Sequence, residues 1–528
     1  MLQDHPIWAR ITARLHIIIA ILVALAAAAV FGLSAGEGDF MIVGAGLFLI
    51  IMMALMSQMG SSYWMVLPFV FASGLSAIPV GGKLLELQEI VTPVCMGYFL
   101  IQYALRAQKM TFFRMAHVPV QLYTAWALII YVNNPVGLSE LGAGMGGLRQ
   151  YGQIGLGFIA FMIMANQRIG ERESGWILLL IFAGSFLSAG QEIVFWFFPF
   201  LGSDPVMVAD PEAYYTWQQA LAGVPTVAIM LLFSRYRSSQ IFSFHRIWLL
   251  GLFLSCAAVI AVSGKRTAVA AIPLIALTAA FLRKEFGFVF LWLAGALVAC
   301  AIVVSGQGNL FNLPMTAQRA LSFLPAQWDP EIRSLKGGQD DFRAMLRLLA
   351  REKIERNPWI GTGYGVDKQM VMQLLSQGGG GIEGQVLPYA LGSAWHNAWL
   401  GYAADFGIPA SVLLAIIYLT VLSIAWKTFR DAPQRSLTRT LALYVLLFTL
   451  RDVLVAHTSG HSALDAYSRW WLYGVLVALW LTNRERQAAQ PVAKDLGDGR
   501  ALLHPALSVQ PTERPAPSPP ARRGCAAH

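Results

Sequence analysis

The run Phe286-Gly-Phe-Val-Phe-Leu-Trp-Leu-Ala-Gly-Ala-Leu-Val-Ala-Cys-Ala-Ile-Val-Val304 holds nineteen residues and no charged side chain. As a helix it is about 28 Å long, close to the thickness of a bilayer's hydrocarbon core. Working outward from it, similar apolar runs recur along most of the chain. They fall near 15–33, 40–57, 62–79, 90–105, 117–132, 152–166, 176–200, 218–234, 247–263, 268–282, 408–426, 440–457 and 470–482, which with 286–304 makes fourteen candidate spans. Hydrophobic residues are 56% of the 528, charged ones 13%, and the mean hydropathy is +0.57. A soluble protein carries about 25% charged residues, so lipid rather than water solvates most of this surface. The expected fold class is all-α: a polytopic membrane helix bundle of about 12–14 transmembrane helices, with one large periplasmic loop containing short helices.

The formal net charge is +9. In a soluble protein such an excess points toward nucleic acid; here the basic residues collect on one set of loops instead. With the N-terminus inside, Arg106/Lys109/Arg114, Arg168/Arg172, Arg235/Arg237, Arg283/Lys284 and Lys427/Arg430/Arg435/Arg439 all fall on the cytoplasmic side. The opposite loops hold Glu37/Asp39 and Asp204/Asp210/Glu212. This asymmetry is the positive-inside pattern of an inner-membrane protein with both ends in the cytoplasm. The first apolar run, after Arg10 and Arg14, then reads as a signal anchor. The scattered cysteines Cys95, Cys256, Cys300 and Cys525 form no disulfide framework. The ending Cys525-Ala-Ala-His528 only loosely mimics a prenylation box, whose last residue is not usually His.

Four segments follow from this topology: N-terminal transmembrane helices 1–304, a periplasmic loop 305–395, C-terminal transmembrane helices 396–483, and a tail 484–528. The tail is rich in Pro, Ala and Arg, and is expected to be disordered and cytoplasmic. The loop is far longer than most connections, which marks a functional segment. Within it Asp340-Asp341 predicts a helix start, running through Leu346, Leu348, Leu349 and Ile354 to Asn357-Pro358. On that helix Arg343, Arg347 and Arg351 recur every four residues and form one basic stripe. It is either a solvated face or an anion-binding face.

Other candidates lie at membrane edges. Lys265 and Arg266 sit in Ser263-Gly-Lys-Arg-Thr267 between two apolar runs, on the external side and against the charge trend. Charges there mark a pathway or an anionic ligand, unless they merely snorkel. Arg149 is also external. Trp395-His396-Asn397-Ala-Trp399-Leu400 opens the re-entry into the membrane, followed by Asp405-Phe-Gly407. Gly361-Thr-Gly-Tyr-Gly365 is not a P-loop, since no Gly-Lys-Ser/Thr follows. Nor is it a potassium filter, because Arg and Glu rather than apolar residues precede it. His457 and His461, with Arg451, Asp452, Asp465 and Arg469 nearby, read either as half of a metal site or as a polar patch closing the same cavity. The latter fits better, because Gly460 suggests a loop and no third ligand is evident.

Taken in order, these motifs resemble those of the O-antigen ligase and O-antigen polymerase family, over about residues 255–425. The Ser263–Thr267 turn is similar to the family's Ser-x-x-Arg-Thr. Arg343 followed by Pro358, Gly361 and Gly363 is similar to its Arg, helix and Pro–Gly-x-Gly break. His396-Asn397 with Asp405-x-Gly407 is similar to its His-Asn and acid-x-Gly. Lys265 stands where Ser or Gly is more usual, Asp405 where Glu is commoner, and fourteen spans exceed the twelve typical of ligases.

The resemblance implies a GT-C-like, metal-independent, inverting glycosyltransferase without cofactor, using a polyprenyl-diphosphate-linked donor. It implies transfer of a glycan from undecaprenyl diphosphate to a sugar hydroxyl on the periplasmic face, polymerising exopolysaccharide or O-antigen repeat units. The partners are then the lipid-linked glycan, an acceptor glycan, membrane lipid and a chain-length regulator, with no nucleic acid. The residues suit that chemistry. Lys265, Arg266, Arg343 and Arg347 would bind the diphosphate, on which charge builds as it leaves. His396 would serve as base with Asn397 beside it. Trp395, Trp399, Trp359 and Tyr364 are candidate faces for sugar rings. Ligation to lipid A core and transfer to protein hydroxyls remain open within the class, and a transporter or flippase of lipid-linked sugars outside it.

Overall fold

The computed structural model describes residues 54, 56–74, 76–80, 83–105, 111–112, 114–134, 148–197, 222–364, 395, 397–458 and 468–498. The expected spans 15–33 and 40–57 lie wholly or almost wholly outside them, as do His396, His461, Asp465 and Cys525.

The described chain is helical almost throughout. After a 3-10 turn at Gly60–Met65 come α1 (Val66–Ser73), α2 (Leu87–Ala104), α3 (Val118–Asn133), α4 (Leu148–Ala165), α5 (Glu171–Phe197) and α6 (Gly223–Arg235). Then follow α7 (Ile247–Val262), α8 (Arg266–Leu282), α9 (Phe286–Gly306), α10 (Met315–Leu321) and α11 (Pro330–Arg356). The last are α12 (Ala398–Phe406), α13 (Ile408–Asp431), α14 (Leu437–Thr458) and α15 (Trp470–Asp498). Among the described residues, five apolar helices are long enough to cross a bilayer: Glu171–Gln191, Phe244–Val262, Phe286–Gly306, Ile408–Asp431 and Leu437–His457. Four shorter apolar helices accompany them: Val118–Asn133, Gln150–Ala165, Gly223–Arg235 and Arg266–Leu282. The chain is a polytopic helical membrane protein.

Two expectations are corrected, and one helix runs further than its apolar span. The apolar run 62–79 is not one helix: α1 stops at Gly74, whose φ of +52° caps it in the left-handed region. Pro79, which cannot continue a helix ladder, then falls in a strand. Ser76–Val80 pairs antiparallel with Lys83–Glu86, with Val80 opposite Lys83. Helix α11 begins at Pro330 rather than near Asp340, because Asp329-Pro330-Glu331 is the stronger start: a cap residue, Pro in the first turn and an acid at the positive helix end. Asp329 is held in turn by Gln318, whose Oε1 accepts its N–H at 3.0 Å and whose Nε2 donates to its carboxylate at 2.6 Å. Finally, α15 continues through 484–498, part of the segment expected to be disordered.

Helix α14 is the hub. It packs against α5, α6, α8, α12 and α13, and Leu441 through Leu447 on it are all buried. Its N-terminus is fixed by Glu171 at the start of α5, which accepts Thr438 N at 3.2 Å and Thr438 Oγ1 at 3.1 Å. A carboxylate there satisfies orphan amide groups and complements the helix dipole. Helix α5 lies close against α1 because Gly184 has no side chain: a Cβ would stand 2.7 Å from Phe69 O. Helix α9 is the opposite case. No residue in its apolar window is buried, and Phe290, Leu291, Leu297 and Val298 all face outward. It packs mainly on α8, with Trp292 against Phe233 of α6 and Phe253 of α7, so lipid covers its outward face.

Candidate active site

The site is assembled where α11 lies on α12 and α12 lies on α14. Leu346 and Ala350 of α11 pack with Trp395 and Ala404 in a small core of their own. Three residues before each of them stand Arg343 and Arg347, one step round the helix, so burying the apolar face turns the basic stripe aside. That stripe lines a cavity of about 620 Å³, walled by Arg343, Arg347, Arg351, Asn397, Trp399, Leu400 and His457. The volume lies within the range of small-molecule pockets, about 300–1,000 Å³. Asn397 caps α12, its Oδ1 accepting Leu400 N at 3.1 Å. Trp399 is half-buried, with its ring centre 5.7 Å from that of Tyr418.

The Gly-x-Gly and Asp-x-Gly motifs hold this junction together through their backbones. Thr362 N and Gly363 N donate to the carbonyls of Ala404 and Asp405 at 3.2 and 2.7 Å, and Ile408 N to that of Pro358 at 2.8 Å. The approach is too close for side chains. A Cβ on Gly361 (φ +71°) would stand 2.5 Å from Asp405 O, and one on Gly407 (φ +79°) would overlap Trp359 O. Both residues combine a positive φ with backbone contact, so only Gly fits either place.

Asp405 is fully buried and anchors the same junction. Its Oδ1 lies 3.4 Å from Lys353 Nζ, and its Oδ2 accepts Trp395 Nε1 at 3.1 Å. The Lys353 ammonium also sits 4.8 Å from the centre of the Trp395 ring. Asp405→Ala leaves the indole N–H and the ammonium without their shared acceptor. We expect it to destabilise the detergent-solubilised protein by about 2–3 kcal/mol, less than for a fully buried pair because Lys353 is partly exposed. A thermal melt reads this as a lower midpoint; an unchanged midpoint would remove Asp405 from its anchoring role.

The sequence-derived candidates separate into groups. Arg266, at the start of α8, is electrostatically coupled to Arg343 and Arg319 and offset by Asp340. Its Nε donates to Arg319 O at 3.1 Å, which ties α8 to α10. Arg343 and Arg347 line one cavity, and Arg266, outside its walls, is related to them through its like-charge interaction with Arg343. Lys265 does not join them: it lines a different cavity, with Arg451 and Arg469. Trp395 and Tyr364 are only 2% and 1% exposed, so neither offers a face to a sugar. Trp395 is held by Asp405, while Tyr364 packs on Phe406 and Tyr151 at 4.8 and 5.3 Å. Trp359 is 70% exposed, and Trp399 faces the cavity. His457 stands in the cavity wall, while Arg451 and Arg469 of the same sequence cluster line the other cavity. Among the described residues, no group of three or more His, Cys, Asp or Glu is placed to hold a metal ion. Arg451 and Asp452 form a pair of ionisable residues within the apolar helix α14. Ionisable residues inside an apolar span are themselves a functional signal.

Fold and site together define a multi-pass membrane protein with a cationic cavity built from α11, the start of α12 and the end of α14. Residues 250–415, from α7 into α13, match the family model Wzy_C, described as O-antigen ligase. The segment is similar to that domain, and it covers less than half of the chain. No curated protein matches the chain.

Proposed function

We propose that the protein works in the bacterial inner membrane and transfers a glycan from undecaprenyl diphosphate to a sugar hydroxyl on the periplasmic face, polymerising exopolysaccharide or O-antigen repeat units. The observation that carries this reading is the cavity of Arg343, Arg347, Arg351, Asn397 and Trp399 within the segment similar to the O-antigen ligase domain, with Arg266 coupled to Arg343. The acceptor oxygen attacks the anomeric carbon and inverts it. The bond from that carbon to the diphosphate breaks, and the acceptor proton passes to neutral His396. Charge growing on the leaving diphosphate is met by Arg266, Arg343 and Arg347, whose planar forks suit phosphate oxygens. Trp399 and exposed Trp359 are the aromatic faces available to sugar rings. Since the donor is already activated, neither a nucleotide nor a metal is required.

The test is transfer by purified full-length protein in nanodiscs, with a lipid-linked repeat unit, EDTA and no ATP. Polymerisation predicts a ladder of lipid-linked oligomers. No product, or product only after adding lipid A core or a protein acceptor, would overturn the polymerase reading.

A further inference from the structure

A second cavity, of about 450 Å³, lies among α1, α5, α6 and α14. Lys265, Arg451 and Arg469 line it, together with Ser188 and the apolar Phe71 and Phe448. Among the described residues that line it there is no carboxylate. Asp452 stands behind it, ion-paired to Arg469 and accepting Tyr418 Oη at 2.9 Å. Arg451 is placed differently. Its Nε is buried without a hydrogen-bond partner, and two charges act on it, Arg469 against its cation and Asp452 in its favour. A guanidinium so placed within a helix bundle is costly unless an anion joins it. Arg451 lies seven residues before the end of α14, about 10 Å along the axis. That depth and the aromatic walls suit the head group of a lipid better than a free ion.

This cavity and the one in the candidate active site are both walled in part by α14. Lys265 is next in sequence to Arg266, and Arg451 and His457 share α14, about 9 Å apart along it. We propose that the Lys265–Arg451–Arg469 cavity is a second anion site, taking the diphosphate head group of a second polyprenyl lipid, the carrier of the acceptor. The inference rests on reading the Arg343 cavity as the donor site. It deepens that reading, because a polymerase has two lipid-diphosphate substrates, whereas transfer to lipid A core or protein has one.

The test counts bound lipid without using activity. Full-length protein in phosphatidylcholine nanodiscs is titrated with radiolabelled undecaprenyl diphosphate bearing no glycan. The native protein should bind two equivalents. Arg451→Gln and Lys265→Met should each weaken one of them by more than about tenfold and leave the other unchanged, while Arg343→Gln weakens the other. Melting curves confirm folding, and Lys265→Met, which keeps the side chain's length, carries the test should Arg451→Gln fail to fold. One equivalent in the native protein, or two unaltered equivalents in both variants, would overturn the proposal. So would inorganic diphosphate filling the second site as tightly as the lipid does. Because no glycan is present, a failure of polymerisation elsewhere does not alter this count.

Discussion

His396→Ala protein should insert, melt as the native protein does and bind lipid-linked donor, yet transfer glycan slower by about 10²-fold or more, the usual worth of a general base. The sequence around His396 motivates this. It lies between Trp395 and Asn397, and these neighbours are fixed: Trp395 on Asp405, and Asn397 as the cap of α12 in the cavity wall. Only neutral imidazole accepts a proton. Native activity should therefore fall as pH drops through the histidine range, near about 6.5 for an unperturbed side chain. The same fall should be absent from the residual activity of the variant. A packing role predicts something else: a lower melting point and activity in proportion to folded protein. Stable His396→Ala protein turning over at more than about a third of the native rate, far short of a base's contribution, would end the catalytic assignment.

The second large effect belongs to the guanidinium pair. Arg343→Gln and Arg266→Gln should each lower the transfer rate by about 10²–10³-fold, the cost of losing one fixed donor to a developing anion. Arg→Lys should recover only part of this, because an ammonium lacks the bidentate fork. The two sites are electrostatically coupled in the free protein and repel one another. If one diphosphate bridges them, the double variant should lose much less than the product of the single losses. Arg266 also ties α8 to α10 through Arg319 O, so its variants need a melting curve beside each rate. Full activity of both Arg→Lys variants at normal protein levels would exclude bidentate recognition. Strictly multiplicative losses would exclude a shared ligand.

Much of the fold is legible in the sequence, because a bilayer makes the pattern coarse. Any run of about 20 apolar residues has few alternatives to a spanning helix. Hence the run 286–304 appears as Phe286–Gly306 and the run 408–426 as Ile408–Asp431. The runs were less informative where backbone signals compete with hydropathy. Gly74 and Pro79 break the segment 62–79 into a short helix and a hairpin, and Asp329-Pro330 outranks Asp340-Asp341 as a helix start. In the candidate site, four-residue spacing placed Arg343, Arg347 and Arg351 on one face, and they line one cavity. Sequence could not say which aromatic residues face outward. Trp395 and Tyr364 are aromatic like Trp399, but Trp395 is buried against Leu346, Ala350 and Ala404, and Tyr364 against Tyr151 and Phe406. Nor could it say that Lys265 lines a cavity with Arg451 and Arg469, while the adjacent Arg266 feels the charge of Arg343, since that depends on the twist of the chain entering α8.

The central claim is that the donor's diphosphate sits between α11, the start of α12 and the end of α14. It is tested most directly by photo-crosslinking the full-length protein in native membranes with an undecaprenyl diphosphate donor carrying a diazirine next to the diphosphate. Mapped peptides should carry the label within Arg343–Arg351, Asn397–Leu400 or around His457, and excess unlabelled donor should suppress it. Label confined to the lipid-covered face of α9, or to the basic loops around Arg235 and Arg435, would contradict the account.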